Sequence, residues 1–123
     1  MLNLYAFTCG TLNLRRAFLV AGHDGRIDVP VTAYLLEHPN GDAVFDTGLH
    51  VRFQRFEGQA GLARNVDFLA TDTIAARLAA LGKDPGAVRW IINSHLHSDH
   101  CGGNALLPNA TLIVQQEEWD FAP

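Results

Sequence analysis

The stretch Asn93–Asn104, NSHLHSDHCGGN, holds three of the chain's six histidines. His95, His97, Asp99 and His100 crowd into one short span of it. Neutral imidazole and carboxylate are good ligands for zinc and neighbouring first-row metals. Their spacing decides what they reach. On a helix, residues two apart point to different faces, whereas on an extended segment they share one. His95 and His97 are therefore expected to face one ion from a strand end or the loop after it. Asp99 and His100 follow where the chain must turn, and are expected to face a neighbouring point. Gly102 and Gly103 let the backbone turn tightly and approach the site. Without a cation, such a cluster behind a buried strand has no evident stabilising reason. Protonated histidines there would only repel one another.

The isolated His23, His38 and His50 read as ordinary surface or core residues. Cys101 sits beside the motif and has two readings. A thiolate could ligate or oxidise; a small thiol could pack under the loop. The second is expected.

The elements that must hold this cluster can be read on either side of it. Leu2–Thr8 reads as a strand ended by Gly10, and Arg16–Ala21 as a second. His23-Asp24-Gly25-Arg26 is a turn. Val31–His38 is a strand, and Pro39–Asp42 turns into another at Ala43–Asp46. The first part is thus a β-meander. Leu49–Ala70 has no clear period and reads as a long loop, with Phe53, Phe56 and Phe68 lining an acyl pocket or filling the core. A helix capped by Thr71 or Asp72 is expected through Leu81, with Ile74, Leu78 and Leu81 on one face. Gly82 stops it. Val88–Asn93 is a short buried strand that runs directly into the histidines. A brief helix follows Gly102-Gly103. Pro108-Asn109 is a turn, Thr111–Gln115 a strand, and Gln116–Phe121 the start of a helix. The expectation is an α+β domain of sheet layers with covering helices.

The chain's 123 residues suffice for one modest domain. Hydrophobic residues make up 48% and charged residues 18%, which argues against disorder. The net charge is −4, and Lys and Arg are scattered from Arg15 to Arg89, so nucleic acid is not an expected partner. Two cysteines make no disulfide framework and suit a reducing compartment. The opening MLNLYAFTCG lacks the basic start and long apolar run of a signal peptide. No stretch is long and apolar enough to span a bilayer. A cytoplasmic protein without a membrane partner is expected.

His95-Leu96-His97-Ser98-Asp99-His100 resembles the HxHxDH signature of the metallo-β-lactamase superfamily. Asp46-Thr47-Gly48, after an apolar strand, resembles that family's upstream aspartate-glycine turn. Within the superfamily the chain looks most like the N-acyl-homoserine lactone hydrolases, the quorum-quenching lactonases. LYAFTCGTL, VPVTAYLLEHPNGDAVFDTGLH, INSHLHSDHCGGN and TLIVQQEEW carry that closer likeness. The resemblance implies an αβ/βα sandwich and two divalent metal ions, zinc by ligand type. His95 and His97 would bind the first ion, Asp99 and His100 the second. Asp46 would orient a ligand histidine by hydrogen bond. A water shared by the ions would lose its proton near neutral pH and open a lactone ring, and Asp99 would position it or move a proton.

The family adds, later in its chain, a further histidine for each metal, a bridging aspartate and, in the lactonases, a substrate-side tyrosine. No histidine follows His100 here, and the later acids are Glu117, Glu118 and Asp120. Family members are roughly twice this long. Residues 1–123 are therefore expected to be the N-terminal half of such a domain, truncated at its C-terminus. Such a half would hold metal weakly, turn over slowly, and expose one sheet face to a second copy or a complementing C-terminal half. Other hydrolases on the same fold share the motif: a glyoxalase II-like thioesterase, a β-lactamase, a phosphodiesterase or a nuclease. A non-catalytic metal-binding fragment is a further alternative. Asp46-Thr47-Gly48 also spells an aspartic-protease triplet, a reading that leaves the histidines unexplained.

Overall fold

The computed structural model describes residues 1–54 and 65–122. The alternating N-terminal stretch forms β1 (Asn3–Arg15), antiparallel to β2 (Arg26–Glu37). Tyr5 lies opposite Leu35 and Phe7 opposite Ala33. Gly10 does not end β1. It sits at φ +94° where the register shifts, and a side chain there would meet the Asp67 carbonyl oxygen at 2.9 Å. It marks a bulge, not a stop. No strand forms over Arg16–Ala21: Arg16–Phe18 is one 3-10 turn, and Phe18, Leu19 and Val20 are exposed at the hairpin tip. Apolar composition suggested a strand there, but the segment is the connection between two long strands and has nothing to pair with.

β3 (Ala43–Phe45) completes the meander beside β2. A short β4 (Val66–Asp67) pairs with the other side of β1. β5 (Trp90–Ile92) lies parallel to β3, and β6 (Thr111–Ile113) parallel to β5. The sheet order is β4-β1-β2-β3-β5-β6. Parallel neighbours need a crossover, and α1 (Ile74–Ala80) lies in the one between β3 and β5. Thr73 caps α1, not Thr71 or Asp72; its Oγ1 accepts from Ala76 N at 3.1 Å. Asp72 instead pairs with Arg77 at 2.7 Å and accepts Leu69 N at 2.9 Å. Ile74 and Leu78 face the sheet, but Leu81 is 43% exposed, because the helix ends before it and Gly82 turns the chain away. α2 (Ser98–Cys101) follows β5, and α3 (Gln116–Phe121) follows β6.

One face of the sheet carries Ala33, Leu35, Val44 and Ile91 into a core with Ile74, Leu78 and Phe68. Phe68 is fully buried there, so it fills the core and lines no acyl pocket. Phe53 packs at the core's edge, while Phe56 lies outside the described residues. The opposite face stays apolar and open. Leu4 is 66% exposed and Ile113 46% exposed, with Tyr34 and Phe45 half-buried between them. No helix among the described residues is long and apolar enough to cross a membrane.

The turn that ends β3 is packed from below by β1. Gly48 has φ +71°, and a Cβ on it would stand 2.7 Å from Cys9 Cβ. Gly82 has a similar φ of +73° but nothing within 4 Å. Gly82→Ala should therefore cost only the left-handed backbone penalty, about 1–2 kcal/mol. Gly48→Ala should add an overpacking penalty of about 1–3 kcal/mol. Equal urea midpoints for the two variants would contradict this packing.

Cys9 is fully buried, and that burial pushes its thiol up to about 11 from an ordinary 9.0. The unfolded chain gives up this proton near the ordinary value while the folded chain keeps it. Above that pH the unfolded state binds fewer protons, so stability falls between the two values. The loss approaches about 2–3 kcal/mol. Cys9→Ala should flatten that part of the pH–stability curve relative to wild type in urea titrations from pH 8 to 11. Parallel curves would exclude the thiol as the cause.

Candidate metal centre

β3 and β5 run parallel, and both end at the same edge of the sheet. Asp46 leaves the end of β3 and Ser94 the end of β5. The carboxyl ends of parallel strands are where loops can gather functional side chains without breaking the sheet. Asp46 is 5% exposed and sits at φ +57°, the one non-glycine in the left-handed region among the described residues. Its N–H donates to Ile92 O at 2.9 Å, which holds the turn against β5. Its Oδ1 accepts Ser94 N at 2.8 Å. Its Oδ2 contacts Ser94 Oγ at 2.7 Å and His100 Nδ1 at 2.8 Å.

The motif begins extended and then turns. His97 has φ −69° and ψ 149°, and α2 starts immediately after it. His95 and His97 lie with ring centroids 4.7 Å apart. His100 folds back, so that its ring centroid is 3.9 Å from that of His95. Asp99 Oδ2 is 3.4 Å from His100 Nε2. All four expected donors therefore gather at one mouth, half-buried except for the exposed His97. Among the described residues, no group of three or more His, Cys, Asp or Glu stands ready to hold an ion as placed. The imidazole of His95 lies against those of His97 and His100. The donor chemistry fits a divalent ion, and the Asp46 contact on His100 Nδ1 leaves Nε2 as the ring's outward donor.

Gly102 and Gly103 serve close approach rather than left-handed turning. Gly102 has φ −62° and Gly103 −91°. A Cβ on Gly102 would stand 2.3 Å from His50 N, and one on Gly103 2.3 Å from Thr47 O. The loop is thereby pressed against the Asp46–Gly48 turn.

Besides Ser94, four positions escaped the sequence reading. Thr47 N donates to His100 O at 2.7 Å, and Thr47 Oγ1 to Asn104 Oδ1 at 2.7 Å. Asn104 Nδ2 donates to Asn93 Oδ1 at 2.7 Å, and Asn93 Nδ2 reaches His100 O at 3.3 Å. The first and last residues of the quoted stretch thus clasp each other beneath the histidines. Their symmetric placement around it was the only available signal. Glu118, to which the sequence assigned no role, accepts Leu96 N at 3.1 Å and ties α3 to the motif. It borders a cleft of about 220 Å³ with His97 and Phe121.

Cys101 Sγ contacts Leu96 O at 3.4 Å, and burial raises its thiol. It sits protonated under the loop, as the packing reading expects. His38 and His50 accept backbone N–H groups at 3.1 Å from Asn40 and Arg52, each within its own turn, although the His50 backbone packs against Gly102 of the histidine loop.

Comparison with known proteins agrees with this geometry. A family model described as the metallo-beta-lactamase superfamily matches residues 26–122. An N-acyl homoserine lactonase, AttM, of Rhizobium johnstonii is 33% identical over 127 residues, covering 98% of this chain and 48% of that protein. The N-acyl homoserine lactonase AiiA of Bacillus thuringiensis subsp. kurstaki is 36% identical over 101 residues, covering 78% of this chain and 40% of its own. A solved N-acyl homoserine lactone hydrolase, with N-hexanoyl-L-homoserine at its catalytic metal centre, superposes with TM-score 0.81 at 30% identity. That match covers 95% of this chain and 50% of the other. The chain spans about half the length of the curated relatives it matches. With a family model running from β2 through α3, and an aspartate turn and histidine loop meeting at one sheet edge, the chain belongs to the metallo-β-lactamase superfamily.

Proposed function

We propose that the chain carries the first part of the metal site of a lactone hydrolase, with N-acyl homoserine lactones as the substrate class. His95 and His97 would hold one divalent ion, Asp99 and His100 a second, and zinc suits this donor set. When bound, such ions polarise a carbonyl oxygen and lower the pKa of water between them. Asp46 holds the His100 ring through Nδ1, so the ring need not search for its orientation. Asp99 would orient the attacking water and carry its proton. The observation that carries the reading is the gathering of all four donors around the end of β5, backed by a buried carboxylate.

The named relatives and the product held at a neighbour's metal centre support the lactone class. The open sheet face bearing Leu4 and Ile113 supports a covering partner, either a complementing second half or a second copy. The two free cysteines accord with a cytoplasmic location.

Equilibrium dialysis of the chain against zinc, with metal counted by mass spectrometry, tests the site. Wild type should take up zinc, and His97→Ala should bind it at least about tenfold more weakly. Equal uptake by the two would remove the motif from the metal site.

A further inference from the structure

The donors and acceptors at the mouth of the site fix where its protons lie. An ionised carboxylate only accepts hydrogen bonds. Asp46 has three neighbours that can donate: Ser94 N at 2.8 Å on Oδ1, and Ser94 Oγ at 2.7 Å and His100 Nδ1 at 2.8 Å on Oδ2. The Ser94 hydroxyl has one proton. Once that proton points at Asp46, Ser94 Oγ offers only lone pairs to its next neighbour. That neighbour is His95 Nδ1, at 3.0 Å; His100 Nδ1 stands farther off at 3.4 Å, with its proton directed at Asp46. Two lone pairs at the shorter distance repel, so in the neutral His95 ring Nδ1 carries the proton and Nε2 is bare. The reverse arrangement would turn the hydroxyl proton toward His95. It would then set Ser94 lone pairs against a carboxylate oxygen at 2.7 Å, the shorter and fully charged contact.

We infer that Ser94 is a positioning residue that passes the demand of Asp46 on to His95, so that one buried carboxylate sets the tautomer of two histidines. His100 is set directly and His95 through the hydroxyl. The consequence follows from where the two rings stand in the proposed site, one for each ion. A neutral imidazole with Nδ1–H and a bare Nε2 is ready to ligate through Nε2. An unconstrained neutral histidine prefers the opposite tautomer, with the proton on Nε2. Ser94 would therefore remove a proton rearrangement that otherwise accompanies binding at His95. The significance of this rests on the metal reading above; the tautomer itself does not.

Long-range nitrogen–proton NMR of the metal-free chain reads the tautomer directly. It is run near pH 8.5, well above the ordinary imidazole pKa of about 6.5. Wild-type His95 should carry its proton on Nδ1. Ser94→Ala should shift it toward Nε2 and weaken zinc binding by roughly tenfold in a chelator competition. Ser94→Thr, which keeps the hydroxyl, should restore both. An Nε2-protonated His95 in wild type would overturn the inference, even if Ser94→Ala failed to fold. So would a Ser94→Ala variant that loses stability and zinc affinity while His95 keeps its tautomer. A wild-type chain with the expected tautomer and no zinc binding would support the inference and overturn the metal reading.

Discussion

A buried carboxylate in a left-handed backbone is costly on two counts. Burial penalises its charge, and φ +57° strains its main chain. Asp46 bears both costs at the end of β3. Ser94 and His100 surround it with donors from the far side of the β3–β5 pair. The turn can hold that shape because it is gripped above and below. Cys9 of β1 closes on it at Gly48, and Gly103 presses on Thr47 O from the histidine loop. The loop is thus tied to the sheet at its start through Ser94 and near its end through His100. The left-handed residue is the point at which sheet packing becomes side-chain geometry at the mouth.

From there the architecture is economical in chain length. The donors all come from one loop, and their order along it follows the change from extended chain to α2. Beneath them, Asn93, Thr47 and Asn104 form a buried polar clasp, and every buried side-chain polar atom among the described residues is paired. The clasp holds the backbone of His100 from below while Asp46 holds its ring. Glu118 adds a third tether, from α3 to the amide between the first two histidines. The loop is therefore constrained on several sides, as a site that must keep its donors close requires.

The sequence was most informative where side-chain chemistry and local spacing suffice. Four ligand-type residues in one short stretch do come together at one mouth, and Leu2–Thr8, Val31–His38 and Ala43–Asp46 read as strands of a meander. It was least informative where tertiary neighbours decide. Gly10 looked like a strand end, because nothing local shows that β4 and Phe68 crowd its face and demand a bulge. Arg16–Ala21 looked like a strand, because apolar residues are enriched there whether or not a partner strand exists. Leu81 matched the helical period, yet the helix had already ended. Phe68 could not be assigned between pocket and core until the sheet placed it under Ile74 and Leu78. Thr47, Asn93 and Asn104 are common residue types whose roles arise only when two distant segments meet.

Imidazole and carboxylate from this loop, with no thiolate, would surround the ion. X-ray absorption at the zinc edge of the zinc-loaded chain tests this donor set most directly. Nitrogen and oxygen scatterers are expected at about 2.0–2.2 Å, with the multiple-scattering pattern of imidazole. A sulfur shell at about 2.3 Å would mean that Cys101 or Cys9 holds the metal instead, and would contradict the account.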